Sequence, residues 1–295
     1  MRVVLVSCAE LPSGDGDDDG VFDALVDLGV QVEWAPWDSG ADFASADLVV
    51  LRSPWDYTER LPEFLAWCES VPALANPLPV VRWTTDKSYM VELAGAGVPI
   101  VPTTLLLPGD EPEWPEGEFV LKPAVGVGSV GVLRVADGDH AAADAHWKEL
   151  GVTALLQPYQ STVDEHGETA MVFLGGQYSH AFAKGAMLAP GGAGNRTTAD
   201  ELDSSGLYVV ERLSPANPDA ARRRVAEDVM DAAAGVLGIR RSDLLYARVD
   251  LVTGADGSPL LLELELAEPS LGFRQTDAAA ALRFASTIRA AVQDR

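Results

Sequence analysis

The chain has 295 residues, 47% of them hydrophobic, and a formal net charge of −24. That length and apolar content exclude a disordered tail and allow two or three lobes with sizeable cores, while no apolar run approaches the roughly 18 residues of a membrane span. So negative a chain is a poor nucleic-acid binder, because such binders displace counterions with a positive surface.

MRVVLVSCAE lacks the long apolar region of a secretory signal. Cys8 and Cys68 are too few for a disulfide framework and read as buried free thiols, so a cytoplasmic protein is expected. Of the 21 basic residues only four are lysines: Lys87, Lys122, Lys148 and Lys184. Either coding bias spared these four at random, or compact ammonium groups were kept for phosphate oxygens.

Residues 3–6 (VVLV) form a short buried-strand pattern, followed by a polar, glycine-rich loop from Ser7 to about Asp18. VFDALVDLG reads as a helix with Phe22, Leu25 and Val26 on one side and Gly29 as its stop. Strands at 31–34 (QVEW) and 47–51 (DLVVL) complete a small parallel α/β lobe. RSPWDY (52–57) lies beyond the carboxyl end of the second of these, where open α/β sheets bind ligands. Arg52 is there a candidate grip for a carboxylate, with Asp56 and Tyr57 as further polar contacts; otherwise the segment is a surface turn with Trp55 packed on the next helix.

A helix at about 62–70 leads into NPLPVVRW (76–83), proline-punctuated and expected to be extended, with a lobe boundary near 83. Residues 84–97 read as a threonine-capped helix with Met90, Leu93 and Ala94 inward. Lys87 falls in its first turn, where the helix dipole disfavours a cation unless an anion meets it.

In FVLKPAVGVGSVGVLRV (119–135), Gly126, Gly128 and Gly131 have the spacing of a dinucleotide fingerprint, but a strand follows where a helix is required. The stretch is therefore strand, glycine loop, strand, and such a loop can fold its N–H groups over phosphates. Next come a helix at 140–150, a strand at 153–159, and a hairpin of 168–174 and 177–184 turning at Gly175-Gly176. His180 and Lys184 point to one face of that hairpin. A zinc role for His180 lacks supporting Cys or His spacing. Loop 185–206, which carries Arg196, is long enough to be functional. A helix over 217–238 has Asn217 as cap, Pro218 in its first turn, an inner stripe of Val225, Val229, Ala232 and Val236, and Gly238 as stop. A last helix is expected at 276–292.

Residues 243–274 read as two strands joined by an Asp-Gly turn. Alternation puts Tyr246, Arg248 and Asp250 on one face, and Glu263 and Glu265 on one face opposite Leu262, Leu264 and Leu266. If the turn pairs Val252 with Pro259, Arg248 lies opposite Glu263. Three carboxylates this close raise one another's pKa values, and a bound Mg2+ relieves that repulsion. The alternative is a solvated sheet face on which Arg248 makes a salt bridge.

Taken together, this order of motifs resembles the ATP-grasp superfamily. The resemblance implies an α/β chain: two α+β lobes clamping ATP behind a small N-terminal parallel α/β domain, with lobes at 1–83, 84–156 and 157–295. By resemblance, Lys87 and Lys122 touch the α and β phosphates, and Gly126, Gly128 and Ser129 belong to the loop closing over them. Gln157 and Tyr159 fall at the adenine hinge, and Glu168 and Lys184 reach the nucleotide or its γ-phosphate. Asp250, Glu263 and Glu265 become ligands of Mg2+, two ions being expected, with Arg248 and Arg196 on the transferred phosphoryl group. Many carboxylate–amine ligases carry asparagine where this chain has Glu265.

The implied chemistry turns a substrate carboxylate into an acyl phosphate, from which a nitrogen displaces phosphate. LRSPWDY, SHAFAK, the Asn195-Arg196 loop and LELELAEPSLGF most resemble the cyclo-ligases of cycloserine biosynthesis, in which O-ureido-serine closes on itself. Arg52, Asp56, Tyr57, Arg196 and Ser270 are the expected contacts of this amino-acid-like small molecule. An intermolecular carboxylate–amine ligase and a nucleotide-binding protein without turnover are the competing readings. No nucleic-acid or membrane partner is expected, and a homodimer is left open.

Overall fold

The structure is a computed structural model of the chain, and residues 1–188, 203–208 and 210–295 are described. Three sheets organise them. In the first, β1 (Arg2–Ser7), β2 (Gln31–Pro36) and β3 (Leu48–Ser53) run parallel in the order β2-β1-β3, with α1 (Asp19–Asp27) crossing between β1 and β2. Helix α1 buries Val21 and Leu25, an i, i+4 pair, so Val26, expected inside, is 53% exposed. A 3-10 turn at Trp55–Glu59 leads into α2 (Leu61–Ser70).

Residues 76–83, expected to be extended, are largely helical: α3 spans Leu78–Thr84. Pro77 caps this helix and Pro79 sits in its first turn, where a missing N–H breaks no intrahelical bond. Helix α4 (Tyr89–Gly95) begins later than expected, so Lys87 occupies the turn ahead of it and not its first turn. The α4 segment packs on the C-terminal half of the chain: Tyr89, Met90 and Leu93 share a core with Val229, Met230 and Leu264.

The second sheet is antiparallel, with β4 (Thr104–Leu106), β5 (Phe119–Pro123), β6 (Leu133–Val135) and, after α5 (His140–Leu150), β7 (Ala154–Pro158) in the order β4-β7-β5-β6. Helix α5 lays Ala143 and Trp147 on Phe119, Leu121 and Leu133. The lobe limits expected at 83 and 156 thus fall inside α3 and β7.

After α6 (Val163–His166) come β8 (Glu168–Leu174), β9 (Gln177–Lys184), β10 (Leu213–Pro215), α7 (Ala220–Leu237), β11 (Tyr246–Thr253), β12 (Pro259–Glu265) and α8 (Ala279–Gln293). Their sheet has the order β10-β9-β8-β11-β12. One face meets α7 and the other meets α8, which also packs on α1. The cap of α7 is Asp219, accepting from the Arg222 N–H at 2.8 Å, and not Asn217. Its buried stripe is Ala226, Val229, Met230 and Ala233, a regular i, i+3, i+4, i+7 set that leaves Val236 39% exposed. Among the described residues no helix is long and apolar enough to cross a membrane.

Asn76 ties the first lobe to the last. Its backbone has φ +53, and its side chain donates to the Tyr246 and Leu266 carbonyls at 2.8 and 2.7 Å and accepts from the Leu245 N–H at 2.7 Å. Asn76→Ala leaves three buried backbone groups unpaired and keeps the left-handed strain. It is expected to lower stability by about 4 kcal/mol, read from the urea midpoint.

Candidate active site

The hairpin of β11 and β12 starts with Thr253 opposite Pro259 and Leu251 opposite Leu261, then bulges, so that Asp250 faces Glu263 and Arg248 faces Glu265. The expected register, with Val252 opposite Pro259 and Arg248 opposite Glu263, is displaced by two residues, one at the turn, where Pro259 pairs with Thr253, and one at the bulge. A bulge leaves one residue of its strand unpaired and re-aims its neighbours. Here Leu262, expected in the core, lines a cavity instead, while Leu261 and Leu264 stay buried behind it. Glu263, Glu265 and Arg248 line the cavity, and Asp250 is buried behind them against Arg248 and Lys184.

This cavity, about 700 Å3, is lined by all three lobes. Facing the hairpin are Lys87 from the turn before α4, Lys122 from β5 and Lys184 from the end of β9. Lys87 Nζ lies 3.1 Å from Glu263 Oε1 and donates to the Gly126 carbonyl at 2.6 Å. Lys184 Nζ sits among Asp250, Glu168 and Glu211 at 3.1, 3.2 and 3.5 Å. Arg248 forks onto Asp250 through Nε and Nη2, each at 2.9 Å, and also pairs with Glu265.

Burial alone would raise every carboxylate here, and the neighbouring cations decide which ones escape. Glu263 is pushed up by burial, yet Lys87, Lys122, Lys184 and Arg248 pull it down to about 2. Glu265 goes the other way: burial, joined by Glu263, Asp250 and Glu268, outweighs Arg248 and lifts it to about 8. Lys122 makes no ion pair among the described residues, and burial, with Lys87 and Lys184 nearby, holds its pKa below the ordinary lysine value despite Glu263.

The glycine loop joins β5 to β6 with no helix at the glycines, and Gly126, Gly128 and Ser129 line the cavity. Gly128 has φ +58, and a Cβ there would sit 2.7 Å from the Tyr208 Cβ. Gln157 and Tyr159 line the cavity at the end of β7. Gln157 Nε2 donates to Thr103 Oγ1 at 2.9 Å, while the Tyr159 ring lies 3.5 Å beneath the Arg134 guanidinium.

The expected substrate contacts divide. Tyr57 and Ser270 line the cavity, whereas Arg52 and Asp56 do not. Arg52 is 1% exposed and ion-paired to Asp18 at 2.9 Å, because the loop after β1 brings that carboxylate over the end of β3. A buried guanidinium stays with the anion that neutralises it. Asp56 accepts from Trp37 Nε1 at 2.8 Å and pairs with Arg60, which turns it away from the cavity. Arg196 lies outside the described residues.

Buried Arg52 and His180 belong to a feature that sequence reasoning missed. Six successive carbonyls, 266 to 271, each accept from a side chain. Leu266 O receives Asn76 Nδ2 at 2.7 Å, Ala267 O the Tyr246 hydroxyl at 2.6 Å, and Glu268 O Trp55 Nε1 at 3.1 Å. Pro269 O receives Arg52 Nη2 at 3.0 Å, Ser270 O Arg248 Nη1 at 2.9 Å, and Leu271 O His180 Nε2 at 2.7 Å. Glu268 was also missed, although an acidic residue directly after the carboxylate strand was a usable signal.

The donor set facing the lysines is all oxygen, which suits Mg2+. Among the described residues no three His, Cys, Asp or Glu side chains converge closely enough to hold an ion unaided. Asp250 is held by Lys184 and Arg248, Glu263 by Lys87, and Glu265 by Arg248. Mg2+ commonly takes one or two carboxylates and completes its shell with phosphate oxygens and water. These carboxylates therefore fit an ion that arrives with phosphates.

Residues 3–78 match the family described as "D-cycloserine synthetase DcsG, N-terminal domain". The cycloserine biosynthesis protein DcsG of Streptomyces lavendulae is 39% identical over 291 residues, 93% of this chain and 93% of that protein. A crystal structure of D-cycloserine synthetase DcsG matches at 37% identity with a TM-score of 0.86, covering 99% of this chain and 100% of that one. The ATP-grasp ligase PsnB, solved with a phosphomimetic variant of its minimal precursor, Mg and ADP, is alike in fold alone, at 17% identity, a TM-score of 0.58 and 98% coverage of each chain.

Proposed function

This chain belongs to the DcsG family of ATP-grasp ligases, and from that premise we propose that it is an ATP- and Mg2+-dependent ligase closing O-ureido-serine to cycloserine. The observation that carries this reading is one cavity in which Lys87, Lys122, Lys184 and Arg248 face Glu263 and Glu265, with Asp250 buried behind Lys184 and Arg248. Four cations suit a polyphosphate, and three carboxylates suit the metal that accompanies it.

On this reading Lys87 and Lys122 hold the α and β phosphates beneath the loop of Gly126, Gly128 and Ser129. Gln157 and Tyr159 border the adenine, Glu168 and Lys184 reach toward the γ end, and Arg248 and Arg196 stabilise the moving phosphoryl group. Two Mg2+ ions held by Asp250, Glu263 and Glu265 would supply charge neutralisation at the phosphate oxygens. The protein's own part is positioning, charge stabilisation and exclusion of water. A substrate carboxylate oxygen bonds to the γ-phosphorus as the bond to ADP breaks. The oxyamine nitrogen of the same molecule then bonds to the acyl carbon, phosphate leaves and the nitrogen sheds its proton; water takes the carbamoyl group off that nitrogen as carbamate, which breaks down to carbon dioxide and ammonia and leaves cycloserine. None of these steps needs an enzyme nucleophile.

The test is product analysis with MgATP and each enantiomer of O-ureido-serine. Equal release of ADP and cycloserine with no added amine is the expected result. ADP release that requires a second amine would favour the intermolecular ligase, and nucleotide binding without ADP would remove turnover altogether.

A further inference from the structure

Glu268 lines the cavity, and although the ligase chemistry above gives its carboxylate no task, its surroundings give it one. It stands on the backbone whose carbonyls 266–271 are individually held, and within that stretch residues 268 and 270 line the cavity. The residue is 6% exposed, with the Tyr57 hydroxyl against its carboxylate.

What it lacks is a counter-charge. Asp250, Glu263, Glu265, Glu168 and Glu211 all pair with Lys87, Lys184 or Arg248. Glu268 forms no ion pair among the described residues, and Lys87 is engaged by Glu263 and the Gly126 carbonyl. A carboxylate buried without a cation is costly, and the cost is removed when a ligand brings the positive charge.

Position decides which ligand. The same backbone presents the Ser270 carbonyl to Arg248 at 2.9 Å, so the carboxylate that receives the phosphoryl group steadied by Arg248 on the reading above lies close to residues 268–270. In an α-amino acid the ammonium group is attached to the carbon next to that carboxyl group. We propose that Glu268 is the ammonium-binding residue of the substrate site and confines the enzyme to α-amino acids. Tyr57 orients the carboxylate through its hydroxyl. This inference rests on Arg248 marking the reacting end, but it does not depend on which amino acid is used.

The experiment pairs substrates with and without the amino group: O-ureido-serine against 3-(ureidooxy)propanoate, and other amino acids against their deamino counterparts. ADP release is followed at saturating MgATP for the wild-type protein, Glu268→Gln and Glu268→Asp. The wild type is expected to prefer the amino member by about 100-fold in kcat/KM. In Glu268→Gln that preference should fall to about 3-fold or less with the KM for ATP unchanged, and Glu268→Asp should recover part of it. Without substrate, Glu268→Gln should melt no lower than wild type, because an unpaired buried charge is gone; the upward melting shift given by the amino substrate should be lost.

A preference that survives in Glu268→Gln overturns the proposal, as does a KM for ATP that rises in parallel or a wild-type protein indifferent to the amino group. If another α-amino acid is turned over with the same dependence on Glu268, ring closure of O-ureido-serine fails while the ammonium site stands.

Discussion

Glu263→Gln is expected to reduce ADP release by about 1000-fold while leaving the fold intact. The substitution keeps the shape of the side chain and removes its charge. In the structure that charge serves Lys87 at 3.1 Å, and four basic groups hold it ionised against the effect of burial. Lys87 is not stranded by the change, because the Gly126 carbonyl still accepts from it at 2.6 Å. The loss therefore falls on catalysis, where the metal ligand is missing, and the melting temperature should shift by a few degrees at most. A coupled ADP assay and a thermal melt decide it. A variant retaining a tenth of the activity would remove Glu263 from the metal site.

The second large effect comes from two lysines that a sequence cannot tell apart. Lys184 lies among Asp250, Glu168 and Glu211, all within 3.5 Å. Lys184→Met strands Glu168 and Glu211, leaves Asp250 to Arg248 alone, and should cost about 3–5 kcal/mol of stability. Lys122 has no such partners; its charge is opposed by burial and by Lys87 and Lys184. Lys122→Met should melt at or above the wild-type temperature, yet weaken ATP binding by about 100-fold, because the cation awaits a phosphate. Calorimetric titration with a non-hydrolysable ATP analogue and a melt of each variant give the comparison. If Lys122→Met proved the less stable of the two, the division of labour between these lysines would be wrong.

Much of this site was legible because its signals are local. Alternation with period two placed Asp250, Glu263 and Glu265 on one face without any tertiary knowledge, and the scarcity of lysine drew attention to Lys87, Lys122 and Lys184. The context after Gly131 excluded a dinucleotide loop. What escaped was set by distant partners or by backbone irregularity. Nothing around Leu262 announces the bulge that turns it into the cavity, since a bulge is fixed by pairing with the neighbouring strand. Arg52 pointed outward on positional grounds, but Asp18, 34 residues away, buries it. Pro77 and Pro79 suggested extended chain although a proline is equally at home where a helix begins. Asn76 gave no warning of its left-handed backbone, which is stabilised by three hydrogen bonds to residues 169 to 190 positions away.

The held carbonyls of residues 266–271 also bear on how such an enzyme acquires a new substrate. The carbonyls there are held by Asn76, Tyr246, Trp55, Arg52, Arg248 and His180, while the side chains of Glu268 and Ser270 hold none of them, Ser270 Oγ donating instead to Asp17 at 3.3 Å. Those two side chains are thus interchangeable tips on a fixed mount. Point mutation at either one can explore new ligand chemistry without disturbing the phosphate end, so the scaffold separates inheritance of the reaction from drift in what it acts upon.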